Sequence, residues 1–383
     1  MKSGALFVFV ASLLLCAQAR AQTLVYSLSY SETQASSRAR FANVSPFPGG
    51  RSEEQNIAMM RQTRKNEIHA VSAVDGKQSL LFSDEGMHLE IKAMAAISPT
   101  GKAYTAGVWR ERRTTPTPGF YSDDGVYELT LDGSHHFRKI AAAQGNQPLP
   151  ILNPQGTKAA LEGYANEKFV VSIYSVPEWK LLATWDLAKL TQTHCPGCTP
   201  TSHGWMADGN RLYVELVVVG EEDDDSAKAD HPGTYILSGD GADLGAIPPE
   251  TGAFHVPGYF HPKFIERQFL GQLPDGRYLF QDYGVKQGKP AGQTEPFLVL
   301  SSPDGKLPKN FPLKFPVGGY LSPSGKYFAF IERRQTPDYR SELHLWVKNL
   351  ESGEEKELLA TPPPNPPSSP EPNVALFVLG WMN

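Results

Sequence analysis

The chain has 383 residues, of which 40% are hydrophobic, and a formal net charge of −5. This mild acidity argues against nucleic acid as the main partner, because binding to phosphates is driven by clustered positive charge. Beyond the N-terminus no stretch is long and apolar enough to cross a bilayer.

The N-terminus predicts a secretory signal peptide over residues 1–21. Lys2 precedes the apolar run Ala5 to Leu15, and Ala17-Gln18-Ala19 and Ala19-Arg20-Ala21 are both acceptable cleavage sites, of which the second gives the bound at residue 21. Removal of this segment, which contains Lys2 and Arg20, takes the formal charge from −5 to −7. We therefore expect a periplasmic or secreted protein whose residues 22–383 form a single domain.

A turn motif that contains glycine recurs five times along the chain. The copies are Ser98 to Lys102, Asn153 to Gly156, Met206 to Asn210, Leu273 to Arg277 and Ser322 to Lys326. Proline, present in four copies, presets the backbone for a β-turn, and glycine accepts a positive φ angle. The residues after each turn alternate in polarity as half-buried strands do. Each copy is therefore predicted to join two antiparallel strands.

A second, outer hairpin follows in every unit. Its turns are Asp75 to Lys77, Asp132 to Ser134, Pro177 to Trp179, Asp240 to Ala242, Asp304 to Lys306 and Glu351 to Gly353. Two hairpins make a four-stranded blade, so six outer turns predict six blades. Small residues before the inner turns, as in Gly204-Trp205 and Gly380-Trp381, indicate inner strands that crowd around an axis. Both tryptophans are predicted to pack between blades.

The C-terminal residues match only the half of the repeat that precedes the inner turn. Val378 to Asn383 corresponds to an inner strand, and the second strand of that unit is supplied by Thr23 to Tyr30. The sequence thus predicts an all-β fold, a six-bladed β-propeller with four antiparallel strands per blade. We expect the ring to close by pairing of the C-terminal and N-terminal strands in one blade.

The repeat resembles that of the TolB-like β-propeller family, a WD40-like repeat of the form Trp-Ser-Pro-Asp-Gly-Lys followed by a strand and then by Asp-Leu-x-x-Gly. Blade 2 matches it through Ser98 to Lys102, and blade 6 through Ser322 to Lys326 with Asn349 to Gly353. The resemblance covers essentially all of residues 22–383, without the α/β domain that precedes the propeller in TolB. It implies the fold and a binding role in the cell envelope, although such repeats also accompany hydrolases.

Charged loops are predicted where the second and third strands of a blade connect. Blades 2 and 6 share Glu-Arg-Arg at this place. The arginines are Arg112, Arg113, Arg333 and Arg334. An insertion in blade 1, about residues 31–66, is also basic, whereas residues 221–225 of blade 4 are all acidic. Since ring closure makes blades 6, 1 and 2 neighbours, we predict an electrically polarised loop face on which the four arginines bind an acidic partner. The alternative is that these charges only solvate exposed loops.

The link between blades 3 and 4 contains Cys195-Pro196-Gly197-Cys198, flanked by His194 and followed by His203. In an exported protein this spacing favours a disulfide between Cys195 and Cys198. The alternative is a metal site, because His194, Cys195, Cys198 and His203 are ligand types that zinc prefers. Haem attachment would need a histidine directly after Cys198. The acidic run of blade 4 lacks the spacing of a calcium loop, and no cofactor is predicted.

Standard enzyme signatures are missing from the sequence. Residues from different blades can still meet in the channel, and the candidates for such a role are His203, Gln272, Tyr320 and Asp282. The preferred prediction is a non-catalytic, monomeric binding or scaffold protein that engages an envelope protein or peptide through its loop face. The alternative is a hydrolase or lyase with its site at the mouth of the central channel. The proline-rich residues 361–372 are predicted to be a stiff connector or a docking segment.

Overall fold

The structure, a computed structural model, describes a β-propeller of six antiparallel sheets. The described residues are 22–33, 35, 63–92, 94–112, 119–142, 149–165, 168–218, 233–247, 256–261, 267–290, 293–304, 308–314 and 316–382. No helix among them is long and apolar enough to cross a membrane. The predicted signal peptide lies outside these ranges.

Twenty-six strands and one short helix, α1, make up the described elements of the ring. The first eight strands are β1 (Thr23–Ser31), β2 (Thr63–Ser72), β3 (Gln78–Ser83), β4 (Leu89–Ile91), β5 (Ala96–Ile97), β6 (Lys102–Arg112), β7 (Gly119–Thr130) and β8 (Phe137–Ala142). Blades 3 and 4 follow as β9 (Ile151–Leu152), β10 (Lys158–Ala165), β11 (Lys168–Ser175), β12 (Leu181–Asp186), α1 (Ala188–His194), β13 (Cys198–Trp205), β14 (Leu212–Val218), β15 (Gly233–Leu237) and β16 (Asp243–Ala246). The last strands are β17 (Tyr259–Phe260), β18 (Gln268–Gln272), β19 (Tyr278–Lys286), β20 (Thr294–Ser301), β21 (Lys309–Pro312), β22 (Pro316–Leu321), β23 (Tyr327–Gln335), β24 (Ser341–Asn349), β25 (Glu355–Thr361) and β26 (Asn373–Met382).

The predicted closure is present in blade 1, where the sheet order is β26-β1-β2-β3. Leu24 lies opposite Trp381, and Ser29 lies opposite Ala375. Trp381 is buried, and its indole N–H donates a hydrogen bond to the backbone oxygen of Tyr320 in blade 6. The first and last strands therefore share one blade, and the hydrogen bond of Trp381 joins that blade to blade 6.

The inner turns have the predicted hydrogen-bonded geometry. In all five copies the glycine N–H donates to the backbone oxygen of the residue three positions earlier, as from Gly101 to Ser98 and from Gly325 to Ser322. The five glycines have φ angles between 67° and 90°. In this left-handed region a side chain is strained, which explains why glycine ends each turn. These turns place the C-terminal ends of the inner strands at one end of the channel, called the turn end below. The opposite end, where second strands meet third strands, is called the loop end.

The hydrophobic core is divided into six clusters, one at each interface between neighbouring blades. Val25 of blade 1 packs with Val108 of blade 2, for example, and Leu24 of blade 1 packs with Leu345 of blade 6. The cluster between blades 3 and 4 contains Trp205 together with both cysteines of the link. Because every strand of a blade is sandwiched between two neighbours, apolar side chains point both ways and the blades support one another around the ring.

Blades 2 and 5 differ from the predicted pattern in their inner strands. Each inner strand is broken in two, so that β4 and β5 both pair with β6, and β17 and β18 both pair with β19. The link from blade 3 to blade 4 also forms helix α1, which the sequence pattern did not predict. The outer turn predicted at Asp304 to Lys306 falls partly outside the described residues, although β20 and β21, which flank it, are paired.

Candidate functional site

A cavity of about 410 Å³ lies at the turn end of the central channel. All six blades contribute to its wall through the ends of their inner strands, for instance Ala96 of blade 2, Ile151 of blade 3 and Leu270 of blade 5. The proline of each of four inner turns stands at or near its rim, and Pro99, Pro154 and Pro323 line it directly. The cavity is therefore a product of ring closure, since no single blade encloses it.

Bulges in the inner strands shape this cavity. In blades 1, 4, 5 and 6 the pairing between the first and second strands shifts by one residue close to the turn end. The residue after each bulge is a glycine. These glycines are Gly204, Gly271, Gly319 and Gly380. Bulged residues of two blades, Leu270 and Leu379, line the cavity. A β-bulge bends its strand and re-aims side chains, and it commonly occurs beside functional sites.

Two of these glycines are required by the second strand beneath them. A Cβ atom on Gly319 would lie 2.1 Å from a ring carbon of Phe328, and one on Gly204 would lie 2.9 Å from the hydroxyl oxygen of Tyr213. Phe328 and Tyr213 both belong to the cores between blades. The predicted crowding of inner strands is therefore real at these positions, and it comes from aromatic rings of the second strands.

The described wall of the cavity is uncharged. It consists mainly of alanine, leucine, isoleucine, proline and glycine, and polar side chains come from Asn153, Tyr213, Gln272, Tyr320 and Ser322. Tyr320 is 37% exposed. The partial burial of its side chain removes water from the hydroxyl and raises the pKa of that group. The hydroxyl is therefore neutral at ordinary pH. Of the four residues predicted as channel candidates, Gln272 and Tyr320 lie in this wall.

The tryptophans of the wall are structural in the way the sequence predicted. Trp205 and Trp381 are both buried, and the indole N–H of Trp205 donates to the backbone oxygen of Ile151 at 2.8 Å. Trp381 makes the corresponding bond to Tyr320 at 3.0 Å. Each bond joins neighbouring blades, so these two indole donors are already used.

A second recess, of about 320 Å³, lies between the inner turns of blades 4 and 5. It shares Ala207 and Gln272 with the cavity, so the two spaces adjoin. Asp208 and Arg211 line the recess and form an ion pair, with Nε and Oδ2 2.6 Å apart. This ion pair thus lies outside the cavity, and its two charges neutralise one another.

The loop end has a different surface. Among the described residues, five exposed aromatic side chains lie at the loop ends of their strands or in the connecting loops. They are Trp109, Tyr121, Tyr164, Phe260 and Tyr339. Tyr164 is 71% exposed and Tyr339 is 85% exposed. Tyr320 is the one exposed aromatic that the described residues place at the turn end.

The sequence predicted these arginines in loops, but Arg112 is the last residue of β6, and Arg333 and Arg334 lie within β23 near its loop end. The two arginines of blade 6 differ in their environments. Arg333 is exposed and makes no ion pair with a described residue. Arg334 pairs with Glu332 at 2.8 Å and lies 3.9 Å from Glu357. Consecutive residues of a strand point to opposite faces. The Arg334 charge is consequently neutralised within blade 6.

Arg113 and the side chain of Arg112 lie outside the described residues. The same holds for the acidic run 221–225 and for most of the basic insertion, about residues 31–66. Lys65, the described end of that insertion, pairs with Glu67 at 2.7 Å. The predicted polarity of the loop face stays a prediction.

Asp282 does not lie in the cavity wall. It is 1% exposed on β19, opposite the break between β17 and β18. His261 Nε2 lies 2.8 Å from Oδ1, and Arg267 Nε lies 3.8 Å from Oδ2. Burial raises the pKa of Asp282 and lowers that of Arg267. Asp282 thus holds the two residues that flank the break. Sequence reasoning missed this group, because His261 and Arg267 carry no motif and their pairing depends on the broken strand.

The cysteines of the link are buried in the core between blades 3 and 4. Cys195 and Cys198 are joined by a disulfide in the structure, with Cα atoms 5.3 Å apart. His194 turns away to Asp243, with Nε2 and Oδ2 2.5 Å apart, and the side chain of His203 lies outside the described residues. Within the part of the chain that the structure describes, no three His, Cys, Asp or Glu side chains are grouped to hold a metal ion.

The proline-rich segment connects blade 6 to the closing strand of blade 1. Its backbone oxygens accept hydrogen bonds from within the chain, as Pro364 does from Arg340 and Pro367 from the N–H of Ala35. The Asn365 side chain also donates to the backbone oxygen of Pro372 at 2.8 Å. These bonds fit the predicted role as a stiff connector.

No protein-family model and no curated protein matches the chain. Among solved structures, it is similar to a protein assigned as TolB from Agrobacterium tumefaciens, with 14% identity and a TM-score of 0.45 over 82% of this chain and 98% of that chain. TolB from Acinetobacter baumannii shows 11% identity and a TM-score of 0.44 over 93% and 66%. A puromycin-hydrolyzing peptidase from Mycobacterium tuberculosis shows 13% identity and a TM-score of 0.42 over 77% and 43%. The chain thus spans less than half of that peptidase, and at these identities the likeness concerns the fold alone.

Proposed function

We propose that this protein is an exported, non-catalytic propeller that binds a protein or peptide of the cell envelope through its loop end. The observation that carries this proposal is the concentration of exposed aromatic side chains there. A large aromatic ring left in water forgoes the stabilisation of burial, about 25 cal/mol per Å² of apolar surface. Tryptophan, tyrosine and arginine are also the residue types that dominate binding energy in protein interfaces. The N-terminal sequence supports export.

Arg333 supplies the described charge that fits an acidic partner. Because Arg334 is neutralised by Glu332 and Glu357, attraction to acidic groups rests on fewer arginines than the sequence alone suggested. Aromatic contacts are therefore expected to carry most of the affinity, and the arginines are expected to affect mainly the association rate.

The test replaces exposed aromatics and leaves the fold intact. The variant combines Tyr164→Ser with Tyr339→Asn, since residue 339 has a φ of 63° that asparagine tolerates. The matched control combines Leu181→Ser with Leu244→Ser, two exposed apolar residues on outermost strands. Proteins retained by each immobilised variant from envelope extract are quantified by mass spectrometry. We expect the aromatic variant, and not the control, to lose specific proteins by about tenfold, which corresponds to about 1.4 kcal/mol. Equal retention by both variants would contradict the proposal.

A second candidate, a propeller enzyme, is favoured by the pair formed by Asp282 and His261. A buried carboxylate that holds a partly exposed imidazole is an arrangement used for general bases, and Oδ2 of Asp282 is buried without a hydrogen-bond partner. Hydrolysis of peptide, glycan and lactone panels by the wild type and by His261→Ala tests this candidate. Turnover that disappears in the variant while its melting temperature is kept would establish it over the binding role.

A further inference from the structure

The cavity at the turn end has the size and the rigidity of a small-molecule site. Its volume of about 410 Å³ falls within the range of about 300 to 1,000 Å³ that is typical of ligand pockets. Its rim consists of hydrogen-bonded turns in which proline and glycine fix the backbone. The cavity is therefore formed before any ligand arrives, and little ordering opposes binding.

The wall selects against ionised ligands. No charged side chain lines the described part of the cavity, so an ion entering it would lose hydration without gaining a counter-charge. Even a neutral polar group costs about 1–3 kcal/mol to bury without a partner, and an isolated ion costs far more. Apolar surface, in contrast, gains about 25 cal/mol per Å² that leaves water.

Two side chains offer hydrogen bonds that the protein itself does not use. The Nε2 atom of Gln272 donates to the backbone oxygen of Gly276 at 3.3 Å, which leaves the amide oxygen as an acceptor without a described donor. The Tyr320 hydroxyl likewise has no described partner. Both residues come from the neighbouring blades 5 and 6, so their polar groups belong to one sector of the wall. Asn153 and Ser322, which also line the cavity, already form hydrogen bonds within the chain, and Tyr213 belongs to the core between blades 4 and 5.

We propose that the turn-end cavity binds a compact, uncharged molecule with an aromatic or aliphatic body and a hydrogen-bonding edge that meets Gln272 and Tyr320. This site is separate from the loop-end surface, because the inner strands run between the two ends of the channel. Loss of either binding activity would leave the other in place.

Two fluorescent probes with the same ring system test the proposal. N-phenylnaphthylamine is neutral, and anilinonaphthalene sulfonate adds one negative charge to the same body. We expect the neutral probe to bind the mature protein at one site, at least about tenfold more tightly than the sulfonate, which corresponds to about 1.4 kcal/mol. A sulfonate that binds as tightly as the amine would overturn the proposal, because a wall without charge cannot favour it.

Variants locate the bound probe. Ala96→Phe places a ring in the cavity and should weaken binding of the neutral probe by about tenfold, whereas Tyr164→Ser at the loop end should change it by less than about twofold. Gln272→Leu keeps the side chain's bulk and removes the acceptor, and it should weaken binding by about fivefold, as expected for one hydrogen bond of about 1 kcal/mol. If the Ala96→Phe variant does not fold, the affinity of the Gln272→Leu variant for the neutral probe is sufficient to test the site. Binding that Gln272→Leu leaves unchanged, or that Tyr164→Ser abolishes, would place the probe elsewhere and refute the site.

Discussion

The two ends of the channel are built from the same six blades, yet they differ in almost every physical property. At the turn end, tight turns and bulged inner strands enclose a cavity whose described wall is uncharged. The loop end carries exposed aromatic rings such as Tyr164 and Tyr339 and exposed charged side chains such as Arg333. The difference arises because the turns must bring two strands together within a few residues, which restricts their sequence. The connections at the loop end are free to vary in length and chemistry. One repeat can thus combine a backbone geometry that recurs in every inner turn at one end with a surface that differs from blade to blade at the other.

Removal of the closing strand β26 should have the largest effect on stability, because both ends of the channel depend on the closed ring. Deletion of Val374 to Asn383 strips β26 from β1 and removes Trp381 from the interface with blade 6. We expect the free energy of unfolding to fall by at least about 4 kcal/mol, the cost of losing a large buried aromatic, because an open strand edge is added to it. Urea denaturation followed by tryptophan fluorescence measures the loss. A truncated protein as stable as the full chain would mean that the ring does not depend on closure.

Replacing a glycine by alanine should lower the free energy of unfolding more at the turn end than at the loop end. Gly319→Ala at the turn end forces a methyl group onto the Phe328 ring and should cost about 2–3 kcal/mol of stability, as overpacking does. Gly163→Ala near the loop end of β10 is the control, since its added Cβ meets nothing within 4 Å. That change should leave stability within about 0.5 kcal/mol. Equal costs at both positions in urea denaturation would show that the two ends are packed alike.

The disulfide should make a moderate contribution to the core between blades 3 and 4. Unfolded, unreduced protein of residues 22–383 is expected to show no free thiol, because Cys195 and Cys198, its two cysteines, are joined. Cys195→Ser with Cys198→Ser should lower the free energy of unfolding by about 2 kcal/mol, a small value because the closed loop is short. Stoichiometric bound zinc, with two thiols that react after chelation, would instead establish the metal alternative.

The smallest effect on stability should come from the loop-end arginines. Arg112→Ala with Arg333→Ala is expected to leave the melting temperature nearly unchanged, because Arg333 is exposed, Arg112 is the last residue of β6, and substitutions at such surface positions rarely change stability. Capture of the loop-end partner should weaken at low salt, and the difference from the wild type should shrink as salt screens the charges. Arg334→Ala serves as a comparison, since that side chain is neutralised by Glu332 and should affect capture less. Unchanged capture by the double variant at low salt would show that the arginines only solvate the loops.

Sequence predicted the arrangement of blades because the signals for turns and strands are local. Glycine at the end of an inner turn, as in Gly101 or Gly325, reports a backbone conformation that few other residues accept, so the pattern is legible without the fold. The half-repeat at the C-terminus predicted closure for the same reason. Strand alternation could also have separated Arg333 from Arg334, since neighbouring residues of a strand face opposite ways.

What the tertiary structure alone decided are the contacts between residues far apart in the chain. The cavity needs six inner strands to meet, and only the folded ring shows that none of its described lining residues is charged and that Trp205 and Trp381 donate their indole N–H groups to neighbouring blades. The pairing of Asp282 with His261 and Arg267 likewise depends on the break between β17 and β18, which no sequence motif predicts. Turn propensity is a property of a few adjacent residues, so the sequence by itself determined where the turns and blades lie. The chemistry of the channel depends on packing around a closed ring, so only the tertiary structure decided it.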